Sequence, residues 1–377
     1  MDSFKFSFIR WELNTMRLFD HTLEKAFYGQ PLDDSEVACL LVAPPNKALE
    51  RLFSAARASR ERAFGDEIFL YGFVYFSTYC QNHCWFCLYR QGNQMAPRYR
   101  QSIKAVIDVA RALEDSGVHL MDLTMGEDAY YLQQDGEKLH ELVIRCREAV
   151  ALPIMLSPGV FEAKLLAEMA SEGIDWYACY QETFNERSFL RLRHGQNFNA
   201  RLEAKVNARK AGLLIEEGLL LGSGESHCDT VLALRKMEKI DASQVRAMTF
   251  RPQIGTPMAD VQAPVSLDEL RTIATFRLCF PDRLIPASLD VDGIQGLRDR
   301  LNAGANVVTS LIPPKHNLAG VSSARSGIED GQRSVSAVIP LIEQLGLRIA
   351  PVETYQRWLQ KENRRVGRQD RVDSKSM

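Results

Sequence analysis

From about residue 68 the chain alternates short β-rich apolar runs with stretches whose apolar residues recur every three or four positions. Eight such runs stand out: Ile68 to Ser77, His119 to Met125, Pro153 to Ser157, Trp176 to Gln181, Gly218 to Leu221, Arg246 to Phe250, Leu284 to Leu289, and Asn306 to Leu311. Most are followed by a helical pattern. Ser102 to Asp115 has Ser102 as its N-cap, and Ser266 to Cys279 has Ser266 three residues before Glu269, a capping box. Strands alternating with helices build a parallel sheet covered by helices, and eight units predict a complete (βα)8 barrel of the TIM type. An open doubly wound sheet would need fewer strands and a Gly-x-Gly-x-x-Gly turn, which the sequence does not contain.

The barrel is expected over residues 68–350. Residues 1–67 read as an N-terminal helical extension in which Ser35 caps a helix running through Glu36 and Leu40. Residues 351–377 read as a C-terminal helix and a polar tail, solvated from about Glu362, where Lys, Arg, Asp and Ser dominate without an apolar period. No repeat or linker divides the chain.

Composition narrows the function classes. Apolar residues at 46% and charged residues at 25% are the balance of a globular chain with a large core. With 46 basic against 48 acidic side chains, the net charge of -2 favours neither nucleic acid nor an anionic membrane as partner. A small molecule fits better. The first residues lack a signal-peptide pattern, and no stretch approaches the roughly 20 apolar residues that span a bilayer. A cytoplasmic location is the expectation, and the eight cysteines then read as reduced. Cys39, Cys146, Cys179, Cys228 and Cys279 are scattered singly, whereas Cys80, Cys84 and Cys87 cluster within eight positions.

A barrel places its chemistry where the strands end. The predicted ends carry Cys80, Asp122 with Glu127 and Asp128, Ser157, Gln181 with Glu182, Arg246 with Arg251, Ser288 with Asp290, and Ser310. Ser288 and Asp290 alternate on one predicted strand and so face the same way. Arg246 could instead face the bottom of the barrel, Asp122 could cap a helix, and Glu182 could pair with Arg193. The motif Cys80-x-x-x-Cys84-x-x-Cys87 follows the first strand at once. Three thiolates on a short loop can hold three irons of a 4Fe-4S cube and leave the fourth open, whereas structural zinc wants four ligands. A zinc site borrowing His83 is the alternative.

This spacing after a first barrel strand resembles the radical S-adenosylmethionine superfamily, which implies that the amine and carboxylate of S-adenosylmethionine chelate the open iron. Phe86 sits where that superfamily places an aromatic residue against adenine, and it could equally be a packing residue of the loop. A closer resemblance runs from about residue 60 to 350. Met121-Asp122-Leu123-Thr124-Met125-Gly126-Glu127-Asp128, Tyr180-Gln181-Glu182-Thr183, Leu284-Ile285-Pro286-Ala287-Ser288-Leu289-Asp290 and Arg300-Leu301-Asn302-Ala303-Gly304-Ala305-Asn306 are similar to the methylornithine synthase family, lysine mutases that open pyrrolysine biosynthesis. Biotin synthase and a hydrogenase-maturation protein are related barrels. The resemblance implies L-lysine as substrate, (3R)-3-methyl-D-ornithine as product, one 4Fe-4S cluster, and a reductant such as flavodoxin or ferredoxin. It implies that Glu182 holds the methionine amine of the cofactor and Arg201 its carboxylate, with Ser157 also on the cofactor side. It implies that Asp122, Arg246, Ser288 and Asp290 fix the amino acid, and Arg and Asp are the side chains that a carboxylate and ammonium groups require. The segment Leu88 to Gln94 departs from the family pattern, and Asp260 to Pro264 is assigned no role.

Overall fold

The computed structural model describes residues 16–322 and 325–367. Eight parallel strands form the barrel: β1 Glu67–Ser77, β2 Leu120–Met125, β3 Ile154–Ser157, β4 Trp176–Ala178, β5 Leu214–Leu221, β6 Gln244–Thr249, β7 Pro286–Ser288 and β8 Val307–Leu311. Neighbours run β6-β5-β4-β3-β2-β1-β8-β7. The remaining seam, β6 to β7, is narrow: Leu284 bridges Gln244, with Val245 N donating to Leu284 O at 3.0 Å and Leu284 N to Ser243 O at 3.1 Å. The predicted eightfold barrel is therefore present, nearly closed, its last seam held by a single bridge.

Several boundaries differ from expectation for identifiable reasons. β5 starts at Leu214 and so includes Glu216 and Glu217, both fully buried. Adjacent carboxylates argue against a strand by propensity, but here each has a cationic partner. β7 stops at Ser288, which caps the short helix Leu289–Asp292, so Asp290 lies in a helical turn rather than along the strand. Ser102 does cap Ile103–Asp115, accepting from Ala105 N. Ser266 does not cap its helix. Its expected partner Glu269 is buried and spent on Thr249 and Arg300, since a charged partner binds a carboxylate more strongly than a backbone N–H. The cap of Asp34–Leu41 is Asp33, whose box partner is Glu36, and Ser35 sits inside the first turn.

The N-terminal helix Lys47–Phe64 lies against Leu267–Cys279 on the outside of the barrel. There Arg60, 5% exposed, donates to the carbonyls of Leu301 and Ala305 at 2.6 and 3.1 Å. At the other end of the chain, β9 Arg348–Ile349 pairs with the start of β1, and the helix Val352–Arg365 closes the bottom of the barrel. Tyr355 enters among Phe69, Leu120 and Trp176, its hydroxyl 2.8 Å from that of Tyr71, while Trp358 stacks on Trp176 at 5.8 Å. Glu362, expected in solvent, is 4% exposed and paired with Arg365. The plug thus carries the apolar face that its sequence conceals among charges. Tyr355→Ala is expected to destabilise the protein by about 3–5 kcal/mol, as for deletion of a fully buried aromatic side chain, measurable as a lowered urea midpoint. A midpoint within error of wild type would show the plug to be dispensable. Among the described residues no helix is long and apolar enough to cross a membrane.

Candidate active site

β1 delivers the chain into the cysteine loop. Arg98 organises that loop by donating to four carbonyls, those of Thr78, Tyr89, Arg90 and Asn93, and Asn93 ties the Leu88 to Gln94 segment to Ile254 beyond β6. The loop lies directly on the end of β2: a Cβ at Gly126 would stand 2.2 Å from Tyr79 O and 2.7 Å from Cys80 Cβ. Only glycine permits that approach.

The three thiols lie close enough to influence one another. Burial and then the neighbouring Cys84 push Cys80 up to about 11, and burial followed by Cys84 and Cys80 pushes Cys87 further. Uncompensated thiolates there would repel in a low dielectric, so these residues need a positive group between them. Cys84 Sγ also accepts from Gln196 Nε2 at 3.0 Å and Arg193 Nη1 at 3.6 Å. Among the described residues no three His, Cys, Asp or Glu side chains converge on a single-ion site. Three cysteines on one short loop, one of them accepting from Arg193 and Gln196, fit a 4Fe-4S cluster.

Beside the loop, Glu182 adopts φ +66°, an uncommon left-handed conformation for a residue with a side chain. The fold holds it there from both sides: Glu182 N donates to Gly218 O at 3.2 Å, and Leu220 N to Glu182 O at 3.0 Å. The preceding Gln181 N donates to Glu217 Oε1 at 2.7 Å, and Glu217 is paired with fully buried Lys205. Glu182 Oε1 meets Arg193 at 2.8 Å, as the alternative reading allowed, yet Oε2 is buried without a partner. Burial raises its pKa, opposed by Arg193 and Arg201. A buried carboxylate oxygen with no donor can accept from an ammonium group. Arg201 stands behind this wall and does not line the cavity. It donates to Tyr180 O at 2.7 Å and to Glu127 and Gln196, each at 3.2 Å. Phe86 does line the cavity, with the Arg193 guanidinium 5.5 Å from its ring centre.

The cavity occupies the upper barrel, about 970 Å³ including its mouth, and Phe86, Cys87, Asp122, Ser157, Glu182, Arg246, Ser288 and Asp290 all face it. Arg246 points inward, not toward the bottom. Its Nε donates to Glu216 at 2.7 Å and Nη1 to Thr309 Oγ1 at 3.0 Å. Asp122 caps no helix. Its Oδ1 accepts from Ser157 at 2.8 Å and Thr124 at 2.9 Å. Burial, then the charge of Glu216, raise Asp122 to about 7. Ser288 lies 3.3 Å from Ser310. Asp290 is occupied: Oδ1 accepts from Arg333 at 2.8 Å, and Oδ2 from the backbone of Val321 and Ser322 at 2.9 and 2.6 Å. It thereby ties down the segment after β8 that roofs the cavity. Tyr180, Glu216, Thr309 and Arg333 were missed by sequence reasoning. Glu216 alone left a signal, a charge within an apolar run.

The asymmetry of Asp122 has a stability consequence. A carboxyl whose folded pKa lies above its unfolded value binds the proton more tightly when folded, so the folded state loses stability as pH rises from near 4 to near 7. Asp122→Asn is expected to raise the melting temperature at pH 8 and to leave it nearly unchanged at pH 4. An equal change at both pH values would contradict the assignment.

A nearly closed parallel barrel with three cysteines at the end of its first strand, opening on a cavity lined by Arg and carboxylates, defines a radical S-adenosylmethionine enzyme. The pattern of the Radical SAM superfamily matches residues 74–237. The chain is 42% identical over 332 residues to the 3-methylornithine synthase of Methanosarcina barkeri, covering 88% of this chain and 94% of that protein. The 3-methylornithine synthase of Methanosarcina acetivorans is 41% identical, with 87% and 93% covered. A crystal structure of methylornithine synthase superposes with a TM-score of 0.85 at 40% identity, covering 89% of this chain and 99% of the other. A maturase of the FeFe-hydrogenase, at 18% identity and TM-score 0.78, shares the fold alone. The chain belongs to the methylornithine synthase family.

Proposed function

We propose that this enzyme converts L-lysine into (3R)-3-methyl-D-ornithine, an isomerisation without net oxidation. The observation that carries the reading is the juxtaposition, in one cavity, of the inward guanidinium of Arg246, the three carboxylates of Asp122, Glu182 and Asp290, and the cysteine loop. Cys80, Cys84 and Cys87 would hold a 4Fe-4S cluster that, with S-adenosylmethionine and one electron from an external reductant, would supply the radical chemistry by which a side-chain hydrogen is removed and returned.

The protein's part is binding, orientation and exclusion of water. Arg246, held at Nε and Nη1, offers its remaining Nη2 to the substrate carboxylate. Asp122 presents Oδ2 to one ammonium group, and Ser288 and Asp290 form the opposite wall for the other. Glu182 Oε2 takes the methionine amine, Phe86 and Ser157 border the nucleoside, and Arg201, set behind the wall, supports it through Tyr180 O, Glu127 and Gln196.

The roof segment limits escape of fragments. Tyr89 donates to Gly320 O at 2.8 Å, Ala319 N donates to the Tyr99 hydroxyl at 3.0 Å, and Gln253 donates to Ser322 O at 2.7 Å.

The test compares ligands on anaerobically reconstituted protein with dithionite. L-lysine should accelerate 5′-deoxyadenosine formation, and cadaverine, which lacks the carboxylate held by Arg246, should not. Equal stimulation by both would overturn the assignment of Arg246.

A further inference from the structure

Glu216 is fully buried on β5, has no access to solvent, and binds no part of the cysteine loop. It nonetheless touches two elements of the substrate wall. Oε1 accepts from Arg246 Nε at 2.7 Å, and Oε2 from the Tyr180 hydroxyl at 2.8 Å. Tyr180 has room for this only because Gly218 leaves its Cβ position vacant; a Cβ there would lie 3.0 Å from the Tyr180 ring. With Thr309 taking Nη1, the guanidinium is held at two of its three nitrogens and Nη2 is left for the cavity. A guanidinium free to swing would lose its registry with a carboxylate.

We propose that Glu216 is a positioning residue: held by Arg246 and the Tyr180 hydroxyl, it aims the guanidinium at the substrate carboxylate and adds its negative charge to the one that Asp122 brings to the same guanidinium. This rests on the reading of lysine as substrate. The groups facing Glu216 are Arg246 on β6, Tyr180 beyond β4, Asp122 on β2, Tyr71 on β1, and Tyr355 of the C-terminal plug. Arg246 is the single cation among them, so Asp122 and Glu216 share one positive charge. An arriving ammonium group supplies the second. A neutral ligand of the same shape does not, which makes the carboxylate pair a selector for a ligand that carries an ammonium group.

Two variants separate aim from charge. Glu216→Gln keeps an acceptor for Arg246 and removes the charge; Glu216→Asp keeps the charge and shortens the reach. Each is compared with wild type in the pH dependence of kcat/KM for lysine. The titration of Asp122 is read independently from the infrared band of its protonated carboxyl, identified by its loss in Asp122→Asn. Iron content and melting temperature report folding. In Glu216→Gln the Asp122 midpoint and the acid limb of kcat/KM should both move to lower pH, and KM for lysine should rise about tenfold, the cost of one degraded buried hydrogen bond to a charged group. In Glu216→Asp the midpoint should stay near the wild-type value while KM still rises. A midpoint unmoved in Glu216→Gln, whatever happens to KM, overturns the proposal, because a packing role alone predicts it. If wild type leaves lysine untouched but the infrared midpoint still falls in Glu216→Gln, the substrate reading fails and the coupling of Glu216 to Asp122 stands.

Discussion

Cys84→Ala is expected to fold, to carry less than one iron per chain where the wild type carries about four, and to form no 5′-deoxyadenosine. The prediction is sharpest at Cys84 because its sulfur is the one held by Arg193 and Gln196, both already fixed by the wall around Glu182. On the proposed three-point attachment, removing it takes away one corner and leaves two half-buried thiols that repel as thiolates. Iron quantification, the visible absorption of the cluster and chromatography of the adenosine product read the three effects. A Cys84→Ala protein that kept its full iron content and cleaved S-adenosylmethionine would place the cluster elsewhere.

Arg246→Lys is expected to lower kcat/KM for lysine by about a hundredfold, close to 3 kcal/mol, the range for truncating one partner of a buried charged pair. The ammonium of the replacement side chain can keep the ion pair with Glu216, but it lacks the fixed planar fork that presents a further N–H to the carboxylate. The loss therefore falls on amino-acid binding, and 5′-deoxyadenosine should still form slowly without turnover of lysine. Steady-state kinetics over a range of lysine concentrations decides this. A variant with wild-type kcat/KM would show that Arg246 supports the barrel rather than the substrate.

How much of this was legible in the sequence follows from what each feature depends on. The eight strands announced themselves because barrel strands are apolar on both faces, and the cysteine loop because its spacing is local. Asp122, Arg246 and Ser288 were readable as polar residues at strand ends. Glu216 was not, because a charged residue facing into a barrel is tolerated only through partners on other strands, Arg246 and Tyr180, which lie 30 and 36 positions away. Arg333 is more remote still, 43 positions from Asp290. The C-terminal plug was hidden for a related reason: its apolar contacts come from Tyr355, Trp358 and Leu359 within an otherwise charged helix, and only the open bottom of the barrel gives them a place to go. The capping errors have a local cause. Asp33 outcompetes Ser35 at the helix Asp34–Leu41, and Glu269 is drawn from its backbone role by Arg300.

If this cavity isomerises lysine, the identity of the product shows it. Reconstituted protein is incubated without oxygen with L-lysine, S-adenosylmethionine and dithionite, and the amino acids are resolved by chromatography with mass detection. The account predicts a new species of the same mass as lysine that co-elutes with authentic (3R)-3-methyl-D-ornithine. If 5′-deoxyadenosine accumulates while lysine is recovered unchanged, the radical chemistry holds and the assignment of substrate to this site is wrong.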